Sequence, residues 1–540
     1  MGLSLTAEQK EILKIYKIEE QYIVPAFQRP YSWEYDQCFQ LYSDLIEAYK
    51  TQEDYFVGNI IIAKSEANKE VLEVIDGQQR LITILLLIKV LHILLPELKV
   101  LNQILEKEDW EGTGTIPRIQ SDIFEANDGK HLLNVLKFSK SDFDNKLDSC
   151  IDKNGKINEK KCTNRFEVNI LYFYNWLTYY NSKHDDLKEF TSFLLRNVFL
   201  LPIELSGKTQ DEANEKALVI FETINNRGMN LEDADIFKAK LYKKAKKVGE
   251  EEIFIQEWIE FKANCNSLGL QIDDIFRYYS HIIRGQKEIT SSERNLREFF
   301  TQETYSPFEL KKYKDILNDL FKIIEVLEFI NQEKFKSTEL AKWIQIIEVY
   351  TNQYPKFALV VFLFRNGFDS SLDLIDFLKS LIRYVYFYGS TTRVKFEIYT
   401  IIKQISIDKP IDNYFVEVDV SHFDYLGRLK YGYALLAFYL TKEKALQTYN
   451  VDKLISYNDR EYFESSWKDV EGLLEALGNF VILDIPKRNL PLIKKSEYYQ
   501  HSSLDEVKHI LRNGISFQDL NNRDLYLKKI LVNFFNGNNR

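Results

Sequence analysis

Methionine and glycine are scarce in this chain of 540 residues, at 2 and 20, and proline occurs only 10 times. So few breakers exclude collagen-like, linker-rich and low-complexity architectures. Cysteine is also rare: Cys38, Cys150, Cys162 and Cys265 are the full set of 4. No Cys-x-x-Cys pair exists, and the one close pair, Cys150 and Cys162, has no histidine at ligand spacing. Neither a zinc site nor a disulfide framework is expected, so the thiols read as reduced and structural. Positive charge is not in excess either, with 71 Lys+Arg against 81 Asp+Glu, a net charge of −10. Nucleic-acid modules usually carry a basic balance, so any contact with DNA falls to a local patch or to a partner. The longest apolar stretch, residues 81–95, is interrupted by Lys89 and His92 and is too short to span a bilayer. The first ten residues lack a basic region followed by an apolar run, so no signal peptide is expected. The expectation is a soluble, cytoplasmic protein with no membrane partner.

What is present is ordinary globular material: 45% hydrophobic and 28% charged residues, with 33 Tyr and 37 Phe to fill cores. The length suggests roughly three or four domains. The first ~20 residues read as a helix with Leu3, Leu5, Ile12, Leu13 and Ile15 on its apolar side. Pro25 and Pro30 then keep residues 22–33 extended, ahead of a helix near 34–50. Residues 55–63 are β-branched and aromatic, and 71–75 alternate apolar and acidic, which predicts a hairpin through 65–69. Asp76-Gly77 is a turn signal, and a strongly apolar helix follows from Gln78 to about Leu95. Residues 98–197 look like a polar, loop-rich insertion with helical stretches such as 168–180. Residues 198–205 form a strand, and 213–223 and 231–247 form helices. From 250 to 403 the pattern is helical throughout. From about Ile411 the composition changes, and 476–483 with the end of the chain suggest a small mixed domain.

Three polar clusters carry the chemistry. In Asp76-Gly77-Gln78-Gln79-Arg80, with Thr83 a turn further on, a strand hands over to a helix. The free N–H groups and positive dipole end of a helix suit phosphate. Gly77 permits close backbone approach. Arg80 can pair with phosphate oxygens, and Asp76 can hold a metal ion or polarise water. A capped helix with Asp76 as N-cap and Gly77 as turn residue accounts for the same letters, although Gln-Gln-Arg then has no obvious packing role. The second cluster, Phe27-Gln28-Arg29-Pro30-Tyr31-Ser32-Trp33, presents Gln28 and Arg29 from a proline-bounded loop; Tyr31 and Trp33 stack on a base or plug a core. The third runs from Phe221 through Asn225, Asn226, Arg227 and Gly228 to Asp235 and Lys238. A helix–turn–helix junction explains its glycine but not the clustered Asn225, Asn226 and Arg227.

Together the clusters resemble the N-terminal domain of the GmrSD-type restriction endonuclease family, a ParB/sulfiredoxin-like nucleotide-binding module of phage-defence proteins. The family's marks stand here as Gln28-Arg29 with Tyr31 and Trp33, Phe56-Val57-Gly58, Asp76-Gly77-Gln78-Gln79-Arg80 with Thr83, and Phe221 through Lys238, over roughly residues 5–245. The resemblance implies NTP binding and hydrolysis assisted by Mg²⁺, in the sensing or restriction of foreign, often modified, DNA. It implies Asp76, Gln79 and Arg80 as catalytic residues, with Asp76 on the metal. It implies Gln28, Arg29, Tyr31, Gly77, Gln78, Thr83, Asn225, Asn226 and Lys238 as nucleotide-binding residues.

Such proteins commonly end in a His-Me (HNH-like) nuclease domain, which needs a histidine base and a divalent metal. Leu477-Gly478-Asn479 through Leu483, then Asn489, Lys494-Lys495 and Tyr498, resembles its back half. Residues 440–475 contain no histidine, Ala476 stands where a second is usual, and His422, His501 and His509 miss the motif positions. The end of the chain therefore resembles a degenerate nuclease fold. The basic run Lys238 to Lys247 is a solvated helix face or a phosphate-backbone contact, and Arg383 with Tyr384 to Tyr388 is helical core or an aromatic–basic surface.

The expected architecture is α+β and helix-rich: a mixed α/β nucleotide-binding domain over 1–247 with an insertion at about 98–197, a helical domain over 248–405, and a degenerate nuclease-like domain over 406–540. The expected function is an NTP-dependent sensor or regulatory subunit in anti-phage defence, with a protein partner or a second copy. An active NTP-dependent nuclease and a non-catalytic nucleotide- or DNA-binding scaffold are the alternatives.

Overall fold

In the computed structural model of the protein, the residues described are 5–109, 111, 113–123, 127–152, 156–225, 233–293, 295–301, 304–368, 371–387, 391–411, 417–463 and 466–537. The side chains of 5, 222–225, 371 and 391–392 lie outside the description. The fold is α+β and helix-rich, as expected. The chain packs as two compact units, Met1–Ile259 and Glu260–Arg540.

The first unit is built on a mixed sheet in the order β1-β9-β4-β5-β3-β8, with β2 also paired to β9. Its strands are β1 (Leu5–Ala7), β2 (Lys10–Glu11), β3 (Gln21–Val24), β4 (Tyr55–Ser65) and β5 (Val71–Asp76), with β8 (Ile119–Ser121) and β9 (Val198–Gly207); β6 (Glu106–Glu108) and β7 (Thr115–Pro117) pair separately. The expected hairpin is present: β4 and β5 are antiparallel, with Lys64 opposite Leu72. β4 runs parallel to β9, and β3 lies parallel between β5 and β8. Side chains alternate across a strand, and here both faces are covered. Ile60, Ile62, Leu72 and Val74 enter one core, while Ile61, Ala63 and Ile75 enter the other.

The first core surrounds α3 (Gln78–Leu94), which is buried on nearly every side from Leu81 to Leu91. A helix apolar all round belongs inside a protein, which accounts for the long apolar run. It is enclosed by α1 (Ile12–Tyr16), α2 (Tyr35–Thr51), α4 (Lys99–Leu105), α5 (Asp128–Leu136), α6 (Lys140–Cys150), α7 (Arg165–Lys183) and α8 (Leu187–Arg196). The second core is closed by α9 (Gln210–Asn225) and α10 (Asp233–Lys246), and α11 (Glu251–Ser267) follows.

Two expectations change. The amino-terminal segment is not one long helix: β1 and β2 are antiparallel to β9, with Thr6 opposite Glu204, and among the described residues only α1 is helical there. Tertiary pairing with a distant open strand overrides the local helical pattern. Residues 98–197 are helical as expected but less loop-rich: among the described residues five α-helices and β8 lie there, and α7 packs along α3.

The second unit is helical through Ser406 among the described residues and then mixed, with a strand β10 (Asn450–Lys453) antiparallel to β11 (Phe480–Leu483). Arg383 belongs to helical core: its Nε donates to the Phe534 carbonyl at 2.9 Å, and Tyr386 is fully buried. Among the described residues no helix is long and apolar enough to cross a membrane.

Candidate functional site

The loop between Val24 and α2 meets the start of α3, and the meeting is arranged by backbone first. β5 ends at Asp76, and Gly77 turns the chain with φ 85° and ψ 8°. A Cβ on Gly77 would lie 2.5 Å from Ile60 Cγ2 and 3.0 Å from the Asn59 carbonyl oxygen, so only glycine fits between the turn and β4. Gly77, not Asp76, occupies the N-cap position, and no side chain caps the helix there. The strand-to-helix junction therefore has its first-turn amides uncapped by side chains, with positive dipole character.

Arg80 sits one turn into α3. Its Nη1 donates to the Asn59 carbonyl at 2.7 Å. The guanidinium also lies over Gly58, where φ is 139° and a Cβ would meet Arg80 Nε at 3.3 Å. β4 changes register at this point, between Phe56 and Gly58. The Phe56-Val57-Gly58 mark thus has a physical role: an irregular strand without a side chain seats the arginine.

The two glutamines divide their work. Gln79 Oε1 accepts from the amides of Ser32 at 2.9 Å and Trp33 at 3.3 Å, and its Nε2 donates to the Pro30 carbonyl at 3.2 Å. Gln79 therefore fastens the loop to the helix, the packing role its letters did not reveal. Gln78 Nε2 donates to the Arg29 carbonyl at 2.9 Å. Gln78 is only 5% exposed, and among the described residues its Oε1 has no hydrogen-bond partner. A buried amide oxygen without a donor is costly and is ordinarily satisfied by something.

Tyr31 and Thr83 complete the fastening. Tyr31 Oη is 2.7 Å from Thr83 Oγ1 and accepts from Asn169 Nδ2 at 3.0 Å. The ring stacks on Phe166 at 4.7 Å, and burial pushes the phenol well above its ordinary range. Tyr31 plugs the core instead of facing solvent. The sequence reading missed Asn169, which also donates to the Trp33 carbonyl at 2.7 Å, and Asp128, which accepts from the Tyr31 amide at 2.8 Å. The available signal for Asn169 was an amide inside an apolar helical run.

On the other side, Gln28 Nε2 donates to the Ile75 carbonyl at 2.9 Å, and Lys238 Nζ donates to the Gln28 carbonyl at 3.4 Å. Lys238 is 3% exposed, so α10 reaches the loop through an enclosed amine. Further along the same basic run, Lys243 and Lys246 pair with Glu215 and Asp211 of α9, so these two serve as helix-to-helix ties. Asn226 lies outside the described residues, as does the side chain of Asn225.

Asp76 is where the charges meet. Burial raises its pKa above the ordinary carboxylate value, opposed by the guanidinium of Arg80, a hydrogen bond from the Gly77 amide and the guanidinium of Arg29. Arg29 itself is exposed. Arg29 and Arg80, far apart in sequence, thus act on one carboxylate. Among the described residues Asp76 belongs to no group of three or more His, Cys, Asp or Glu donors that could hold a metal ion. A Mg²⁺ ion commonly uses one or two carboxylates plus phosphates and water, so the residues suit an ion that arrives with a nucleotide. A neighbouring cavity of about 150 Å³, lined by Phe27, Glu73, Asn214 and Tyr242 among others, excludes Asp76, Gln78 and Arg80 and is small for an organic ligand.

In the second unit, three of the residues resembling a nuclease motif, Asn479, Lys495 and Tyr498, are engaged within the protein. Asn479 Oδ1 accepts from the Ile455 amide at 2.8 Å, and its Nδ2 donates to the Ile455 and Leu474 carbonyls at 2.9 Å. Lys495 Nζ lies 3.5 Å from Asp452, and Tyr498 Oη donates to the Pro486 carbonyl at 2.6 Å. His422 stacks on Phe387 at 5.2 Å, and His509 Nδ1 is 2.7 Å from the Asp505 carbonyl.

The sheet, the buried helix and the arginine-flanked carboxylate at its start define a domain class with its polar centre at a strand–turn–helix junction. Residues 10–242 match the family model described as GmrSD restriction endonuclease, N-terminal domain. This part of the chain is similar to the N-terminal domain of GmrSD-type restriction endonucleases, which indicates a restriction-type anti-phage defence protein. The match takes in Gln28, Asp76 to Arg80 and Lys238, and ends before the second unit begins. No curated protein matches the chain.

Proposed function

We propose that the first unit binds and hydrolyses a nucleoside triphosphate at the start of α3 and acts as the sensing or regulatory part of a restriction-type defence system. The observation that carries this reading is Asp76 under the influence of both Arg29 and Arg80, at a helix start with no side-chain cap, where the Gln78 amide oxygen has no hydrogen-bond partner among the described residues. Two guanidiniums and free amides attract phosphate oxygens. Arg80 is pre-set by Asn59 and Gly58, whereas Arg29 is exposed and able to close on a ligand. Asp76 is the group to receive a phosphate-bound Mg²⁺, which supplies neutralisation of phosphoryl charge when bound. Gln79, Tyr31, Thr83 and Lys238 position the loop that carries Gln28 and Arg29. DNA, a protein partner or a second copy is the element such a site would regulate.

The test is nucleotide binding and phosphate release by the full chain, compared with Asp76→Asn and Arg80→Lys. Hydrolysis that falls in both variants while folding persists supports the reading. Equal rates in wild type and Asp76→Asn remove Asp76 from the mechanism. Binding without phosphate release favours a scaffold, and metal-dependent cleavage of modified DNA by the isolated chain favours a nuclease.

A further inference from the structure

Cys150 and Cys162, twelve positions apart, come together at the mouth of a short loop. Cys150 ends α6, and its carbonyl accepts from the Asn158 amide at 2.8 Å, so the chain folds back on itself. Ile151 and Ile157 bridge within that loop, and Cys162 follows the turn Glu159–Lys161. The two Sγ atoms are 3.4 Å apart. The carboxylate of Glu167, in the first turn of α7, joins them: one donor atom from each of the three residues lies within 4.8 Å of the others. Cys150 and Glu167 are buried, and Cys162 is half-buried.

We propose that Cys150, Cys162 and Glu167 bind a thiophilic divalent cation of the zinc class, with water as the fourth ligand on the side left open at Cys162. The sulfur spacing argues for an ion over a disulfide. Two thiolates on one tetrahedral zinc, each about 2.3 Å from the metal, sit roughly 3.8 Å apart. A disulfide needs about 2.05 Å, so the pair is far closer to the first geometry. A metal ion displaces the proton of each ligating thiol. Binding releases one proton from each thiol to solvent. The ion's charge, with that of Lys146, then balances the two thiolates and the carboxylate.

The surroundings already orient the carboxylate. Lys146 Nζ donates to Glu167 Oε1 at 2.9 Å, and the Thr163 hydroxyl and amide donate to Oε2. Outer partners of this kind fix a ligand's orientation. The ion would join the end of α6, the loop and the start of α7.

The test uses the full chain, reduced and stripped with chelator, then titrated with Co²⁺ and back-titrated with Zn²⁺. The expected result is one Co²⁺ per chain with a thiolate charge-transfer band in the near ultraviolet, displaced by Zn²⁺. Cys150→Ser and Cys162→Ser should each abolish the two-thiolate band, with folding checked by circular dichroism. Thr163→Val leaves all three donors in place and should weaken binding by roughly 10–100-fold. Cys38 and Cys265 are single buried thiols and cannot supply the pair. A band that survives loss of Cys150, or no band at millimolar Co²⁺, overturns the proposal. So does non-reducing peptide mapping that finds a Cys150–Cys162 disulfide in the untreated protein.

Discussion

Replacing Gly77 with alanine isolates the geometry that builds the candidate site. The substitution introduces two costs. A residue with a Cβ in the left-handed region loses about 1–2 kcal/mol. The new methyl also meets Ile60 Cγ2 at 2.5 Å, the Asn59 oxygen at 3.0 Å and Ile60 Cα at 3.1 Å. Two of these three atoms are backbone, so the strand must move, and overpacking of this kind costs about 1–3 kcal/mol. The expected destabilisation is about 2–5 kcal/mol. Gly249→Ala is the matched control: φ is 72° there and nothing lies within 4 Å of the added carbon, so only the conformational cost applies. Because the chain has two units, a single unfolding midpoint would mix them. Amide exchange of the peptide over 81–91, read by mass spectrometry, reports the stability of the first unit's core directly. Protection there should fall by roughly 30-fold to 4,000-fold in Gly77→Ala, taking about 1.4 kcal/mol per factor of ten. A loss equal to that of Gly249→Ala would refute the claim that Asn59 and Ile60 press on the turn.

Two further outcomes follow from the same contacts. Gln79→Ala leaves the Ser32 and Trp33 amides and the Pro30 carbonyl without their partner and should cost about 1–3 kcal/mol; limited proteolysis should then cut within 26–33 sooner than in wild type, and unchanged cutting would show that Gln79 does not hold the loop. Asp76→Asn should gain stability over wild type as pH rises from 3 to 7, since a carboxyl raised by burial keeps its proton more readily when folded and its ionisation penalises the native state; amide-exchange protection of the 81–91 peptide, compared at matched pH, that diverges in the opposite direction would mean the two arginines outweigh burial.

Legibility in the sequence followed the range of the interaction. The β4–β5 hairpin, α3 and β9 were readable because alternation, the Asp76-Gly77 turn and an apolar run are local signals. The strands at 5–7 and 10–11 were not, because the helical spacing of Ile12, Leu13 and Ile15 extends naturally backward, while the partner strand that captures 5–11 lies nearly two hundred positions on. Convergence of Gln28, Arg29 and Lys238 on the Asp76 turn was readable only through family resemblance. The pairing of Cys150 with Cys162 was hidden because a loop, not a ligand-spaced motif, brings them together.

The Asp76 to Arg80 run also shows why polar letters in one motif need not share one job. Gln79 faces the loop and is consumed by backbone partners, Gly77 is demanded by a neighbouring strand, and Arg80 is braced by a carbonyl on that strand. Among the described residues, Asp76, the Gln78 oxygen, the rest of the Arg80 guanidinium and the exposed Arg29 are left to meet a ligand. A substitution at Gln79 should therefore act on Arg29 indirectly, by releasing the segment that carries it, whereas a substitution at Asp76 changes the charge a phosphate-bound cation would meet. Nucleotide affinity that falls in Gln79→Ala and recovers when the loop is tethered by another route would separate the scaffold of the motif from its chemistry. Affinity that stays lost after tethering would put Gln79 itself on the ligand.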